Sequence, residues 1–278
     1  MRHARCGLSA LLLLLSASAT ALDAAAPYQL LKGNWEQGGL LIGQAAPGAK
    51  VVFEGRPLKV SDDGKFVIGL DRDAKPEVEL RVTAPGGTAV TEVHEVAKRE
   101  WDVQPLTGIE PKFVDPPASV QKRIAADQQI IKAARTRDTA IDDFATPFIW
   151  PAKGRISGIF GSQRVLNGKP KSPHYGVDVA VPTGTPLVAA AGGVISLAEP
   201  DLYFTGGTVF IDHGHGLQSV MVHLSRLDVK VGDRVEQGQQ VGLSGATGRV
   251  TGPHLHWGLY WFDQKVDAQK HTGPVPAN

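Results

Sequence analysis

Three short segments in the second half of the chain carry side chains suited to metal chemistry. The first is His174-Tyr175-Gly176-Val177-Asp178, which places a histidine and an aspartate four residues apart. The second is His223, and the third is His254-Leu255-His256. Because alternate residues of a strand face the same side, His254 and His256 are expected to project into one cleft. Two histidines and one carboxylate, with the fourth position left to water, form the ligand set of a catalytic zinc.

Spacing alone does not identify which of these histidines bind a metal. A His-x-His pair on a strand, or a histidine four residues before an aspartate, is weak evidence when it stands alone. His213 and His215 adjoin glycines, which is typical of turn residues, and His94 stands alone in an apparent strand. Three such segments within one glycine-rich region nevertheless favour a site that activates water for attack on a carbonyl.

Short alternating segments from Trp150 onward predict a C-terminal β domain that positions these side chains. The predicted strands are 176–181, 187–189, 194–197, 208–211, 218–223 and 254–260. The glycines between them permit tight turns or leave room for an extended peptide. We assign residues 147–270 to this domain.

The N-terminal half predicts a smaller β domain over residues 27–105. Its apolar residues alternate in short runs at 49–53, 58–60, 65–70, 78–82 and 88–93, separated by glycine- and proline-containing turns. This spacing is typical of an antiparallel sandwich. The segments Pro47–Val51 and Asp63–Phe66 loosely resemble bacterial immunoglobulin-like modules. We therefore expect an accessory domain of this kind, without a site of its own.

A linker and one helix, over residues 106–146, are expected to connect the two β domains. The first part is rich in proline, and Asp115-Pro116 predicts a helix start with aspartate as its cap. A stripe of apolar residues predicts one helix over about 117–144, with one face packed on a neighbouring domain and Pro147 at its end. The stripe consists of Val120, Ile124, Ile131, Ala134, Ile141 and Phe144.

Residues 1–21 predict a secretory signal peptide. Arg2, His3 and Arg5 precede an apolar run, and Ala19-Thr20-Ala21 supplies a cleavage motif. The alternative, a membrane anchor, needs ~20 apolar residues, and this run is shorter. Cleavage would remove Cys6, the single cysteine, so any metal site must use histidine and carboxylate ligands. We expect export to the periplasm and no stable membrane insertion afterwards.

The charge balance gives no argument for a nucleic-acid partner. The 278-residue chain has 29 basic and 28 acidic residues, a formal net charge of +1. Neither sign is in the excess that attracts a polyanion or an anionic membrane surface.

Residues 150–261 resemble the lysostaphin-type (LytM-domain) zinc metalloendopeptidase family, which hydrolyses peptidoglycan. The resemblance rests on ordered motifs across roughly a hundred residues and leaves the N-terminal half uncovered. The matching motifs are Phe160-Gly161, His174–Asp178, Pro182–Pro186, Ile211–Gly214, His223-Leu224, Val231–Val235, Gly245–Gly248 and Gly252–His256.

The resemblance implies roles for the five candidate residues. His174, Asp178 and His256 would hold one Zn²⁺ per catalytic domain, and His223 and His254 would be the catalytic histidines. Some members also carry a tyrosine six residues before the first metal histidine, where this chain has Gly168. The implied substrate is a peptide stem of peptidoglycan, with the D-Ala–diaminopimelate crosslink favoured over glycine bridges by the domain architecture. Protein regulators are not indicated.

Three other functions were weighed against the endopeptidase. Some relatives have lost metal ligands and activate another cell-wall hydrolase, whereas this chain keeps all five residues. Val231–Gly238 resembles a biotinyl or lipoyl carrier hairpin, but the lysine that would hold the cofactor is missing. The N-terminal domain as a wall-binding unit is the third alternative, and we interpret this domain as accessory.

Overall fold

The computed structural model describes residues 26–275, and antiparallel β-strands dominate it. The predicted mainly β fold is therefore confirmed. The predicted signal peptide lies outside the described residues. Within residues 26–275, no helix has the length and apolar character needed to cross a membrane.

The N-terminal half forms two antiparallel sheets, as expected for a small sandwich. One has the order β1-β2-β5 and the other the order β4-β3-β6-β7. Strand β6 alternates strictly, because Val78, Leu80 and Val82 point into the core while their neighbours face outward. Its resemblance to an immunoglobulin domain stays a prediction. The strands of this half are β1 (Tyr28–Lys32), β2 (Leu40–Ala45), β3 (Lys50–Phe53), β4 (Arg56–Leu58), β5 (Lys65–Gly69), β6 (Glu77–Thr83), β7 (Ala89–Glu95) and β8 (Val103–Leu106).

The C-terminal half is organised around one eight-stranded antiparallel sheet. Its order is β18-β14-β15-β16-β20-β12-β9, with β21 paired to β20. A three-stranded sheet, β13-β19-β17, lies beside it. The strands are β9 (Arg155–Gly158), β10 (Gln163–Leu166), β11 (Lys169–Pro170), β12 (Val177–Ala180), β13 (Pro186–Val188), β14 (Gly193–Leu202), β15 (Gly206–Gly214), β16 (Leu217–Leu224), β17 (Arg226–Leu227), β18 (Arg234–Val235), β19 (Gln240–Leu243), β20 (Leu255–Trp261) and β21 (Gln264–Val266).

The connecting segment contains a shorter helix than the sequence predicts. A one-turn helix, α1 (Pro111–Val114), precedes α2 (Ala118–Arg135). Asp115 does not cap α2, since Pro117 occupies that position and Asp115 pairs with Lys169. Beyond Arg135 the chain leaves the helix because its groups bond to the sheet: the Thr139 hydroxyl donates to Asp212 and the Thr139 carbonyl accepts from His215.

Helix α2 covers the outer face of the large sheet, which confirms that one face packs on a neighbouring domain. Ala134 packs with Phe210, Val220 and Tyr260 in a cluster separate from the main core. Strands β15 and β16 are consequently buried at every position, because apolar groups lie on both of their faces. A last short helix, α3 (Ala268–Thr272), follows β21 and is capped by the Asp267 carboxylate.

The two halves share one continuous hydrophobic core. Phe53 and Trp261 lie edge to face with ring centroids 6.0 Å apart, and Gly69 sits against the Trp261 side chain. At the edge of this contact Arg99 pairs with Asp267 at 3.0 Å. The N-terminal sheets therefore support the strands that carry the site.

Candidate metal centre

Strand register brings two of the predicted ligands together. Asp178 on β12 lies directly opposite His256 on β20. Residues directly opposite each other in an antiparallel pair project from the same face, within reach of one another. On the other side of β20, Val222 of β16 is opposite His256. The next residue, His223, therefore lies beside the triad, one residue before the end of β16. His174 comes from the loop that leads into β12.

His174, Asp178 and His256 present one ligand atom each, and these atoms lie within 4.8 Å of one another. His174 Nε2 is 2.8 Å from His256 Nδ1 and 2.9 Å from Asp178 Oδ1. His256 Nδ1 is also 2.8 Å from the same carboxylate oxygen. The fold thus converges the three residues that the sequence predicts as metal ligands. Their binding of a metal stays a prediction.

The triad is suited to a cation because few protons lie between its three ligand atoms. His174 Nδ1 is 3.0 Å from the Ile159 carbonyl, which can only accept, so the proton lies on Nδ1 and the Nε2 lone pair faces Asp178. Burial lowers the pKa of His174 to about 4, so its ring is neutral at pH 7. The three atoms His174 Nε2, His256 Nδ1 and Asp178 Oδ1 therefore face one another, and at most one proton lies between them. A dication held by these residues satisfies all three, and histidine with carboxylate suits Zn²⁺.

Asp178 is held as a carboxylate despite its burial. Burial opposes ionisation, but His174 and His256 outweigh it and keep the pKa of this carboxyl well below its usual range. Its second oxygen accepts a hydrogen bond from Arg164 Nη2 at 2.8 Å. One oxygen therefore faces the triad while the arginine orients the other, the arrangement by which outer contacts orient a ligand.

Two glycines make room for the ligands. A Cβ at Gly158, which pairs with Asp178 in the sheet, would lie 3.0 Å from both Asp178 Cγ and His174 Cε1. A Cβ at Gly176 would lie 2.6 Å from His256 Nε2. Neither glycine has a positive φ, so both are required by the close approach of side chains rather than by a turn.

His223 and His254 lie beside the triad and share one hydrogen-bonding pattern. His223 Nδ1 is 2.8 Å from the Thr247 carbonyl, and His254 Nδ1 is 2.8 Å from the Gly252 carbonyl. Each Nδ1 therefore donates to the backbone, and each Nε2 is left free to exchange a proton. The two rings are 4.8 Å apart, and His254 Nε2 is 3.7 Å from Asp178 Oδ1.

Hydrogen bonds hold His223 in a strained backbone conformation. Its φ is +69°, an uncommon conformation for a residue with a side chain, and its N–H donates to the Thr205 carbonyl. Burial, followed by the charges of His254 and His256, lowers the pKa of His223 to about 3. Backbone strain of this kind is often retained at functional sites, where the surroundings enforce it.

The site opens into a cleft with two parts. One part, of about 190 Å³, is bordered by His174, His223 and His256, and the other, of about 100 Å³, by Asp178 and His254. Both parts share Arg164 and Arg249.

The connecting segment forms one wall of the second part of the cleft. Strand β8 pairs in parallel with β10, and Gln104 and Ile109 line the opening. Ile109 packs with Val114 and Leu166 in a small buried cluster. The linker predicted from its prolines is thus a structural part of the cleft.

The histidines that the sequence leaves outside the site also lie outside it in the structure. His213 is not a turn residue: it is fully buried in β15, between the Gly192 carbonyl and the Ser219 hydroxyl. His215 does lie in a turn, with φ +49°. His94 is a strand residue that stacks on Trp35, with ring centroids 4.1 Å apart.

The sequence leaves two interpretations open for Arg164 and Arg249: contact with a carboxylate of the cell wall, or simple exposure to solvent, which is commoner for arginine. Both line the cleft and neither is fully exposed. Gly168 lies in the exposed turn between β10 and β11, and the tyrosines that border the cleft are Tyr175 and Tyr260.

Comparison with known proteins finds a family match in the half that carries the site and one solved structure that is similar along most of the chain. The sequence of residues 172–268 matches peptidase family M23. A solved structure from Pseudomonas aeruginosa, assigned to peptidase M23, is 30% identical and superimposes with a TM-score of 0.66. The match covers 87% of this chain and 96% of that one, so it includes the N-terminal sheets.

Two peptidoglycan DD-endopeptidases of Vibrio cholerae are similar to less than half of this chain. ShyA is 41% identical over 128 residues, which are 46% of this chain and 30% of ShyA. ShyC is 43% identical over 105 residues, which are 37% of this chain and 24% of ShyC. The matched region thus spans less than a third of the length of these curated relatives.

Proposed function

Because this chain belongs to peptidase family M23, we propose that it is a zinc-dependent endopeptidase that hydrolyses peptide crosslinks of bacterial peptidoglycan. The observation that carries the proposal is the convergence of His174, Asp178 and His256 beside His223 and His254 in an open cleft. The names of the similar Vibrio cholerae proteins support peptidoglycan as the substrate.

The triad fits one zinc ion with a position left open toward the cleft. His174 Nε2, His256 Nδ1 and an oxygen of Asp178 would be its ligands. A zinc ion held there supplies Lewis-acid chemistry, polarising the scissile carbonyl and making water more acidic near neutral pH. Ile159 and Arg164 fix the orientation of two of these ligands through hydrogen bonds.

His223 and His254 would move the protons that hydrolysis requires. With Nδ1–H held by a backbone carbonyl, each ring offers Nε2 as an acceptor when neutral and as a donor when protonated. One ring accepts the proton of the attacking water. A protonated ring then stabilises the negative oxygen or supplies a proton to the departing amine. Either histidine could be the ring that accepts the proton, and the other would then be the protonated ring.

A regulator without catalytic activity is the alternative function. Loss of a ligand would favour it, but the three donors are present and converge. The cleft is also open beside His223 and His254. These features favour the enzyme over the regulator.

We propose the D-Ala–diaminopimelate crosslink as the bond cut and the periplasm as the location. ShyA and ShyC are DD-endopeptidases, which supports this bond. The basic, apolar and small-residue pattern of residues 1–21 supports export. The N-terminal sheets would act as an accessory unit that supports or positions the catalytic half.

The decisive experiment is digestion of purified crosslinked muropeptide dimers by the protein that starts at residue 22. Dimers should become monomers, a chelator should stop the reaction, and zinc should restore it. His174→Ala should lose both bound zinc and activity, whereas His94→Ala, a histidine outside the cleft, should keep both. Intact dimers in the presence of zinc-loaded wild-type protein would refute the enzyme and favour the regulator.

A further inference from the structure

Arg164 is only partly satisfied by its ion pair with the metal ligand. Its Nη2 donates to Asp178 Oδ2 at 2.8 Å, while its Nε is buried and has no hydrogen-bond partner. A guanidinium carries five N–H donors in a planar fork that matches a carboxylate. Arg164 therefore has donors left over at the point where both parts of the cleft meet.

Arg249 lies in the same cleft without a carboxylate partner. Among residues 26–275, no aspartate or glutamate comes within ion-pair distance of it. Its closest polar contact is a long 3.5 Å hydrogen bond to the Phe113 carbonyl. The guanidinium sits over the Phe204 ring, 4.7 Å from its centroid, which holds the side chain in place. Arg164 and Arg249 both line both parts of the cleft, and burial together with the neighbouring charge of Arg164 lowers the pKa of Arg249.

The cleft has more positive than negative side chains. Within the described residues 26–275, Asp178 is the one acidic residue that lines it, and its charge is shared by two histidines, Arg164 and any bound cation. A metal dication would make the deficit of negative charge larger. Burying an unpaired charge is costly unless a counter-charge arrives, so the cleft is suited to a ligand that brings its own carboxylate.

The proposed bond has such a carboxylate in a defined place. In a D-Ala–diaminopimelate crosslink, the carbon bonded to the scissile nitrogen carries a free carboxylate, whereas in a glycine bridge that carbon carries none. Arg164 contacts the ligand Asp178 directly, so its guanidinium lies one side chain away from the centre that would polarise the scissile carbonyl. A carboxylate two bonds from the scissile nitrogen is expected to fall within reach of it.

We propose that Arg249, together with Arg164, binds the carboxylate on the carbon that bears the scissile nitrogen, and thereby selects diaminopimelate crosslinks over glycine bridges. This inference rests on the proposed function and names a specificity determinant for it. Arg249 is the better residue to test, because replacing Arg164 would also disturb the ligand Asp178.

The test compares two crosslinked dimers that differ only at this carboxylate, one with the free acid and one with the carboxamide. The wild-type protein should cut the acid with a kcat/KM roughly tenfold to a hundredfold higher, the usual effect of a hydrogen bond to a charged group. Arg249→Gln should lower that ratio to the part that Arg164 contributes alone, and more than any other variant tested. Arg249→Lys keeps the charge without the fork and should retain part of the preference. Arg81→Gln, an exposed arginine of β6, is the matched control and should keep the full ratio.

Bound zinc and melting temperature are measured for every variant, so that misfolding is not read as lost specificity. Equal cleavage of acid and carboxamide by the wild-type protein would overturn the inference and leave the endopeptidase standing. Full preference retained by a folded Arg249→Gln would overturn the assignment to Arg249. Absence of cleavage of either dimer by zinc-loaded wild type would instead overturn the proposed function itself.

Discussion

Gly158→Ala changes no ligand, yet we expect it to weaken zinc binding. The added Cβ would overlap Asp178 Oδ2 and lie 3.0 Å from both Asp178 Cγ and His174 Cε1, so two of the three ligands must move. Overpacking a tight site costs about 1–3 kcal/mol. Each 1.4 kcal/mol is about tenfold, so the zinc dissociation constant should rise by roughly fivefold to a hundredfold.

Competition with a chromophoric chelator measures this affinity directly, and urea unfolding of the metal-free protein shows whether the fold is intact. Gly87→Ala is the matched control, because a Cβ there meets no atom closer than 3.4 Å. Its zinc affinity should equal that of the wild type. A Gly158→Ala protein that binds zinc within twofold of wild type would refute the argument that backbone approach at this glycine sets the ligand geometry.

Three other perturbations test separate parts of the structure. His223→Ala and His254→Ala should each keep bound zinc, measured by elemental analysis, but lower kcat by about 10²–10⁴-fold, since they exchange protons and do not hold the metal; loss of zinc would contradict this division of roles. Burial lowers the pKa of His213 from 6.5 to about 4. The folded state therefore binds fewer protons, and the free energy of unfolding should fall between about pH 6.5 and 4, by up to about 3 kcal/mol. Urea unfolding of His213→Asn should show a weaker pH dependence; an unchanged pH dependence would assign the effect to other groups. Trp261→Ala removes a side chain that is 3% exposed and joins the two halves, so it should cost about 3–5 kcal/mol in urea unfolding; a cost below 1 kcal/mol would show that the halves do not stabilise each other.

Local pattern predicted the strands of both halves well where one face is buried. In Glu77–Thr83, apolar residues alternate with polar ones in the sequence, and buried residues alternate with exposed ones in the structure. A two-residue period allows only one face of the strand to be the buried face. The runs named from the sequence of the N-terminal half do not include strands β1, β2 and β8. The predicted end of helix α2 was also wrong, because Phe144 packs in the core from a separate one-turn 3-10 helix, Asp143–Ala145.

The amino-acid sequence by itself named the residues that are proposed to carry the chemistry. Histidine and carboxylate at fixed spacings, in the order of a known family, named five residues, and the fold brings all five into one cleft. Such motifs are readable because ligand chemistry restricts residue types, and a strand turns His254 and His256 toward the same side whatever surrounds it.

Only the tertiary structure decided what surrounds those residues. That Asp178 faces His256, that Gly158 must lack a side chain, and that Arg249 lies in the cleft without a carboxylate all depend on strands distant in sequence. Long-range register and burial set these contacts, and a single residue type does not reveal them: an arginine in a sequence is the same whether water or a cleft surrounds it. The charge environment of the site, and with it the inferred choice of substrate, is therefore a property of the fold.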